Sequence, residues 1–123
     1  MAFGFWLLAF GCSQRTPEQQ AMETALESYE ALIAGNYEAF LLGRAHMDSI
    51  PDSFREQLLV SYKQFLRQQQ AAHQGISAIE ATRSQTDSLS QTIQVFLMVH
   101  YADSTMEEIV VPMVECNGEW KMK

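Results

Sequence analysis

The chain has 123 residues, 47% hydrophobic and 19% charged, with 15 acidic side chains against 8 basic ones and a formal net charge of −7. That length holds one compact domain with a single core, and the apolar fraction excludes a disordered chain. The acidic balance argues against nucleic acid or a bare anionic lipid surface as partner, because both select cationic patches. Two cysteines cannot build a disulfide scaffold.

No residue before Arg15 is charged, and Met1 to Gly11 is apolar or glycine throughout until Cys12. Those 11 residues fall short of the about 20 that a transmembrane helix needs. On the surface of a soluble domain, Phe3, Phe5, Trp6 and Phe10 would make an apolar patch that needs a reason. A signal segment supplies one, an apolar core followed by a small residue at the cleavage point, here Gly11. The stretch resembles a bacterial lipoprotein signal, which implies that Cys12 is acylated and becomes the mature N-terminus. It departs from that pattern at Ala9 and Phe10, where leucine and a small residue are preferred, and no basic residue precedes the run. The rival reading makes residues 1–11 a buried strand or helical turn and Cys12 an ordinary core thiol. The expected organisation is a signal segment at 1–11, a lipidated cysteine and short tether at 12–16, and one domain at 17–123.

Thr16-Pro17-Glu18-Gln19 reads as a helix start, with a capping threonine, proline at the first helical position and Gln19 at the capping-box position. Met22, Leu26, Tyr29 and Ile33 follow as one apolar stripe, and Gly35 is the expected C-cap. Asn36 caps a short second helix from Tyr37 to Leu42, stopped by Gly43. Pro51 and Asp52 open a third helix with the clearest stripe of the chain, Phe54, Leu58, Tyr62 and Phe65, running to Gly75.

Beyond Gly75 the period changes to two. Ile76 to Thr82 reads as a weak strand, with a turn at Gln85 to Ser88, and Thr92 to Ala102 as the strongest strand, Ile93, Val95, Leu97, Val99 and Tyr101 on one face. Glu108 to Cys116 is the next strand, where Pro112 predicts an edge position or a bulge. Asn117-Gly118 is a type I′ hairpin pair that sets Glu115 opposite Trp120 and Met113 opposite Met122. Helices followed by strands in blocks give an α+β domain, with three N-terminal helices packed against one face of a curved antiparallel sheet of three to four strands.

Gly35-Asn36-Tyr37-Glu38-Ala39 after a first helix, and a closing strand through Val110-Val111-Pro112-Met113-Val114 to Gly118-Glu119-Trp120-Lys121, resemble the small Bacteroidetes-type lipoproteins of the nuclear-transport-factor-like (cystatin-like) superfamily. The resemblance covers roughly residues 17–123. It implies a cone, a strongly bent sheet wrapped around helices with a cavity between them. Some relatives are isomerases or dehydratases and many others bind ligands or partners, so the fold does not settle the function.

The sequence has no HExxH, GxGxxG, P-loop, nucleophile elbow or CxxC. His46, His73 and His100 are scattered, so no metal or other cofactor is expected. The candidate bases and donors are His100, Tyr29, Tyr37, Tyr101, Asp103 and Glu115, while alternation puts His100 and Asp103 on opposite faces. A pocket, if the cone has one, is expected near Tyr29, Tyr37, His100 and Trp120. Cys116 reads as an unreactive strand thiol, and Glu107-Glu108 as part of a solvated acidic face. The resulting expectation is a noncatalytic protein, lipid-anchored in the cell envelope, on the periplasmic side or the outer surface. It would bind a small apolar ligand or an envelope protein, or pair as a homodimer. The rival expectation is an isomerase- or dehydratase-like enzyme using a pocket histidine or carboxylate with a tyrosine donor.

Overall fold

The computed structural model describes residues 15–123; the stretch expected to be a signal segment, and Cys12, lie outside the described residues. Three helices precede four strands: α1 (Pro17–Ile33), α2 (Tyr37–Leu42), α3 (Asp52–His73), β1 (Ile76–Asp87), β2 (Thr92–Tyr101), β3 (Met106–Cys116) and β4 (Glu119–Met122). Local chemistry sets the helix starts. Thr16 Oγ1 accepts from Gln19 N at 3.1 Å and Gln19 Oε1 accepts from Thr16 N at 3.0 Å, a complete capping box ahead of α1. Asn36 Oδ1 accepts from Ala39 N at 3.2 Å to start α2. Gly35, at φ +85°, turns the chain out of α1 as no β-carbon-bearing residue does cheaply.

The strands pair antiparallel in chain order, β1-β2-β3-β4. β1 runs on to Asp87, through the expected turn at Gln85 to Ser88. Its second half is polar because it is an edge strand, yet Ser84, Gln85 and Thr86 stay in register with Val95, Gln94 and Ile93. β3 is interior, so Pro112 sits neither on an edge strand nor at a bulge. The local reason is visible: Pro112 O accepts from Lys123 N at 2.9 Å, so its N–H-less nitrogen faces the same side, past the last residue of β4. Asn117 and Gly118 both take positive φ, 53° and 83°, as the expected hairpin requires.

β4 is short and held from its outer side. Met122 N donates to Gly43 O at 2.8 Å and Ala45 N to Met122 O at 2.7 Å, so the chain after α2 covers that edge. Lys121 Nζ reaches Leu42 O, the exposed end of α2, at 2.8 Å.

The core lies between α1 and the inner face of the sheet. On the sheet side it holds Val95, Leu97, Val111, Met113 and Met122; on the helix side, Ala21, Ala25 and Leu32, with Phe40 from α2. The α1 residues nearest the sheet are one step round from the stripe of Met22, Leu26, Tyr29 and Ile33, which flank the contact half-buried. Small alanines let the helix approach closely, and the larger side chains fill the margins. Gly43 extends this close approach, because a β-carbon there would meet Ser28 Oγ at 2.6 Å.

Two expectations need correction. The sheet is not a closed or curled cone: its order is linear, β1 and β4 do not pair, and four strands are too few to close. The space a cone would enclose is instead filled by Leu97, Met113 and Phe40. Nor do all three helices lie on the sheet's face. α3 buries none of its residues fully, and Phe54, Val60 and Phe65 are 44%, 54% and 38% exposed.

Candidate functional site

Alternation on β2 and β3 carries an inward-facing row past the end of the packed core. Leu97 pairs with Ile109 and Val99 with Glu107, so Glu107 continues the row of Met113, Val111 and Ile109 as a carboxylate. Tyr101 occupies the matching place at the end of β2 and is 6% exposed. Its hydroxyl donates to Glu107 Oε1 at 2.6 Å. Burial, reinforced by the bond to Glu107 and the nearby charges of Glu107 and Asp103, pushes the Tyr101 phenol up to about 12.

Glu107 stands on a cleft of about 270 Å³ between α1, α3 and the sheet. Leu32, Ile79, Val99 and Ile109 make aliphatic walls, Phe65 closes the α3 side, and Tyr29 and Gln69 add the other polar atoms of the lining. Burial also raises the Tyr29 phenol above its ordinary value, so it stays protonated at neutral pH. Apolar walls with a few polar groups are the usual composition of a small-molecule site.

Behind Tyr101, the His73 ring stacks at 4.0 Å between centroids and 19° between planes. His73 Nδ1 lies 3.0 Å from Asp103 Oδ2 and 3.4 Å from Thr105 Oγ1. Both contacts use the same ring nitrogen, so this is no nucleophile–base–acid relay, which needs one partner on each nitrogen. The group instead fastens the end of α3 to the β2–β3 turn, with Asp103 N donating to His73 O at 3.1 Å. The Thr105 hydroxyl, assisted by His73, holds the Asp103 carboxyl below its ordinary value against partial desolvation.

The residues singled out from sequence are dispersed. Tyr29 lies on the cleft. Tyr37 opens α2 and packs partly buried against the core. His100 faces the other side of the sheet, where Nε2 meets Glu80 Oε2 at 2.7 Å. Trp120 lines a separate groove against α1, its Nε1 donating to Gln20 Oε1 at 3.3 Å. Glu115 and Cys116 line a wider cleft of about 590 Å³ at the opposite end of β3, with His46 and Asp48. Its cations are already engaged, Arg44 with Tyr62 Oη at 3.0 Å and Lys121 with Leu42 O. Among the described residues no His, Cys, Asp and Glu group has the arrangement of a metal site.

Glu107 was hidden by its neighbour: Glu107-Glu108 reads as an acidic pair on a solvated surface. Parity was the usable signal, because Glu107 lies two residues before Ile109 and four before Val111, on the core-facing side of the strand.

No protein-family model matches the sequence, and no curated protein matches it. A solved structure does share the architecture, that of the Campylobacter jejuni protein named "Putative NTF2-like transpeptidase", with a TM-score of 0.62 over 81% of this chain and 94% of that one. The two are 11% identical, so the likeness shows the fold, which is NTF2-like. The expectation of a noncatalytic protein, and not an enzyme, is corrected on two grounds. The fold partner carries an enzyme's name, and the cleft joins a carboxylate to a tyrosine donor that the sequence reading did not pair.

Proposed function

We propose that this domain is an enzyme of the proton-transfer class, isomerase- or dehydratase-like, working in the Glu107 cleft. One observation carries the reading: a carboxylate held by a buried tyrosine hydroxyl at 2.6 Å borders an otherwise largely apolar cleft of about 270 Å³. Glu107 takes a proton from a carbon next to a carbonyl, and the C–H electron pair moves toward the carbonyl oxygen. Gln69 is the lining residue with an amide to donate to that oxygen. Return of that proton to another carbon completes an isomerisation; its delivery from Glu107 to a β-hydroxyl, expelled as water while the enolate pair forms the C=C bond, completes a dehydration. Tyr101 acts through Glu107 as a positioning residue, and with its phenol raised to about 12 it donates and does not compete for the proton.

The name of the Campylobacter jejuni protein suggests acyl transfer as a second chemistry. The geometry favours proton transfer, because the hydroxyl nearest a histidine, Thr105, shares Nδ1 with Asp103. The test is exchange of α-protons of small ketones into D2O, followed by NMR. The intact protein should catalyse exchange, and Glu107→Gln should lose about 100-fold or more of it. No exchange above buffer by the intact protein would sink the proposal.

We also propose that the enzyme works from a bacterial envelope membrane as a Bacteroidetes-type lipoprotein, held by acyl chains on Cys12. The uncharged run ending at Cys12 supports this, and among the described residues no helix is long and apolar enough to cross a membrane. Two or more chains give stable anchoring. Intact mass of the protein from its host membrane should show cleavage before Cys12 with a diacylglyceryl-type adduct; an unmodified chain retaining residues 1–11 overturns the anchor.

A further inference from the structure

Charge and size at the Glu107 cleft restrict what can enter it. Glu107 is the one charged residue of its lining; the rest are aliphatic or aromatic side chains and the Gln69 amide. A second carboxylate, Asp103, lies behind Tyr101 and is already engaged by Thr105 and His73. An anionic substrate would therefore face Glu107 with no lysine, arginine or histidine on the lining to neutralise it. A volume of about 270 Å³ is just under the about 300–1,000 Å³ of ordinary ligand pockets, so the cleft takes a small molecule. Branched walls from Leu32, Ile79, Val99 and Ile109 suit a compact hydrocarbon body, and the Gln69 amide suits one uncharged oxygen.

From this arrangement we infer that the substrate class is uncharged, compact carbonyl compounds, branched or cyclic ketones, enones or aldehydes, and that carboxylic acids are rejected. The inference rests on the proton-transfer reading and adds a charge rule to it. Its basis is the single carboxylate on an apolar lining that has no cation.

The test uses one carbon ring with three head groups, cyclohexanone, cyclohexanecarboxylate and cyclohexylammonium, titrated into the 15N-labelled full chain in mild detergent at neutral pH. The ketone should shift the amides of Tyr29, Gln69 and Ile109 and bind about tenfold or more tighter than the carboxylate. Glu107→Gln, a change at an exposed position, should bring the carboxylate within about threefold of the ketone. Gln69→Leu should weaken the ketone while leaving the preference over the acid. Equal binding of acid and ketone overturns the charge rule, as does a failure of all three to shift the cleft amides. Tighter binding of the ammonium than of the ketone overturns it in favour of a cation site. Exchange into D2O on the same samples separates the two readings: exchange without charge preference removes the substrate class alone, and preference without exchange removes the proton-transfer reading alone.

Discussion

Tyr101 is the residue on which stability and the candidate chemistry meet. Its native phenol holds a proton up to about pH 12, against about 10 when exposed. The native state therefore binds more protons than the unfolded chain between those values. Its contribution is complete below pH 10 and is lost as pH rises toward 12. Tyr101→Phe removes the bond to Glu107 and should cost about 1 kcal/mol at neutral pH. Urea midpoints measured from neutral pH to about pH 12 should fall less steeply for the variant than for the parent; identical slopes would show that Tyr101 is not the titrating group. Asp103 acts at the other end of the scale. Its carboxyl is held below its ordinary value, first by Thr105, so its contribution is present above that value and lost as pH falls. Thr105→Val should therefore narrow the acid range of stability, read as a higher midpoint in an acid titration. The inward place of Glu107 was legible from parity, but its partner was not, because a bond from Tyr101 to Glu107 forms only when the β2–β3 hairpin closes.

Helix starts and the hairpin were readable from a few adjacent residues because their causes are local: Thr16 with Gln19, Asn36 with Ala39, Asn117 with Gly118. Which helix lies on the sheet was not readable, because it depends on how close two backbones come. α3 has the clearest apolar stripe and buries no residue fully, whereas α1 presents Ala21 and Ala25, both 0% exposed. Small residues at a tight contact carry little weight in a hydrophobic pattern. Amide exchange should therefore be faster in the first turns of α3 than in β2, whose alternate side chains are buried; equal protection would place α3 in the core unit. Gly43 gives a second prediction for α1. Gly43→Ala should destabilise by about 1–3 kcal/mol through the clash with Ser28 Oγ. Pairing it with Ser28→Gly should recover part of that loss, and strictly additive effects in a urea-denaturation cycle would show that the two do not touch.

For the whole molecule, the order of helices and strands was legible because the hydrophobic period changes once, at Gly75. The shape was not. Curvature and closure depend on strand number and on what fills the interior, and here the linear order β1-β2-β3-β4 and a packed core leave an open sheet. The cleft proposed as the catalytic site lies at one end, where the inward row gives way to Glu107 and Tyr101.

The two edges of that open sheet are treated differently, and the clasp on β4 has a consequence in time. β4 follows the six other elements of the described residues in chain order, yet Gly43 and Ala45 bond to it and α1 packs beside it. Early segments of the chain therefore wait for a partner that is made after them. Until Trp120 and Met122 emerge, the nascent polypeptide lacks the contacts that close this edge of the sheet.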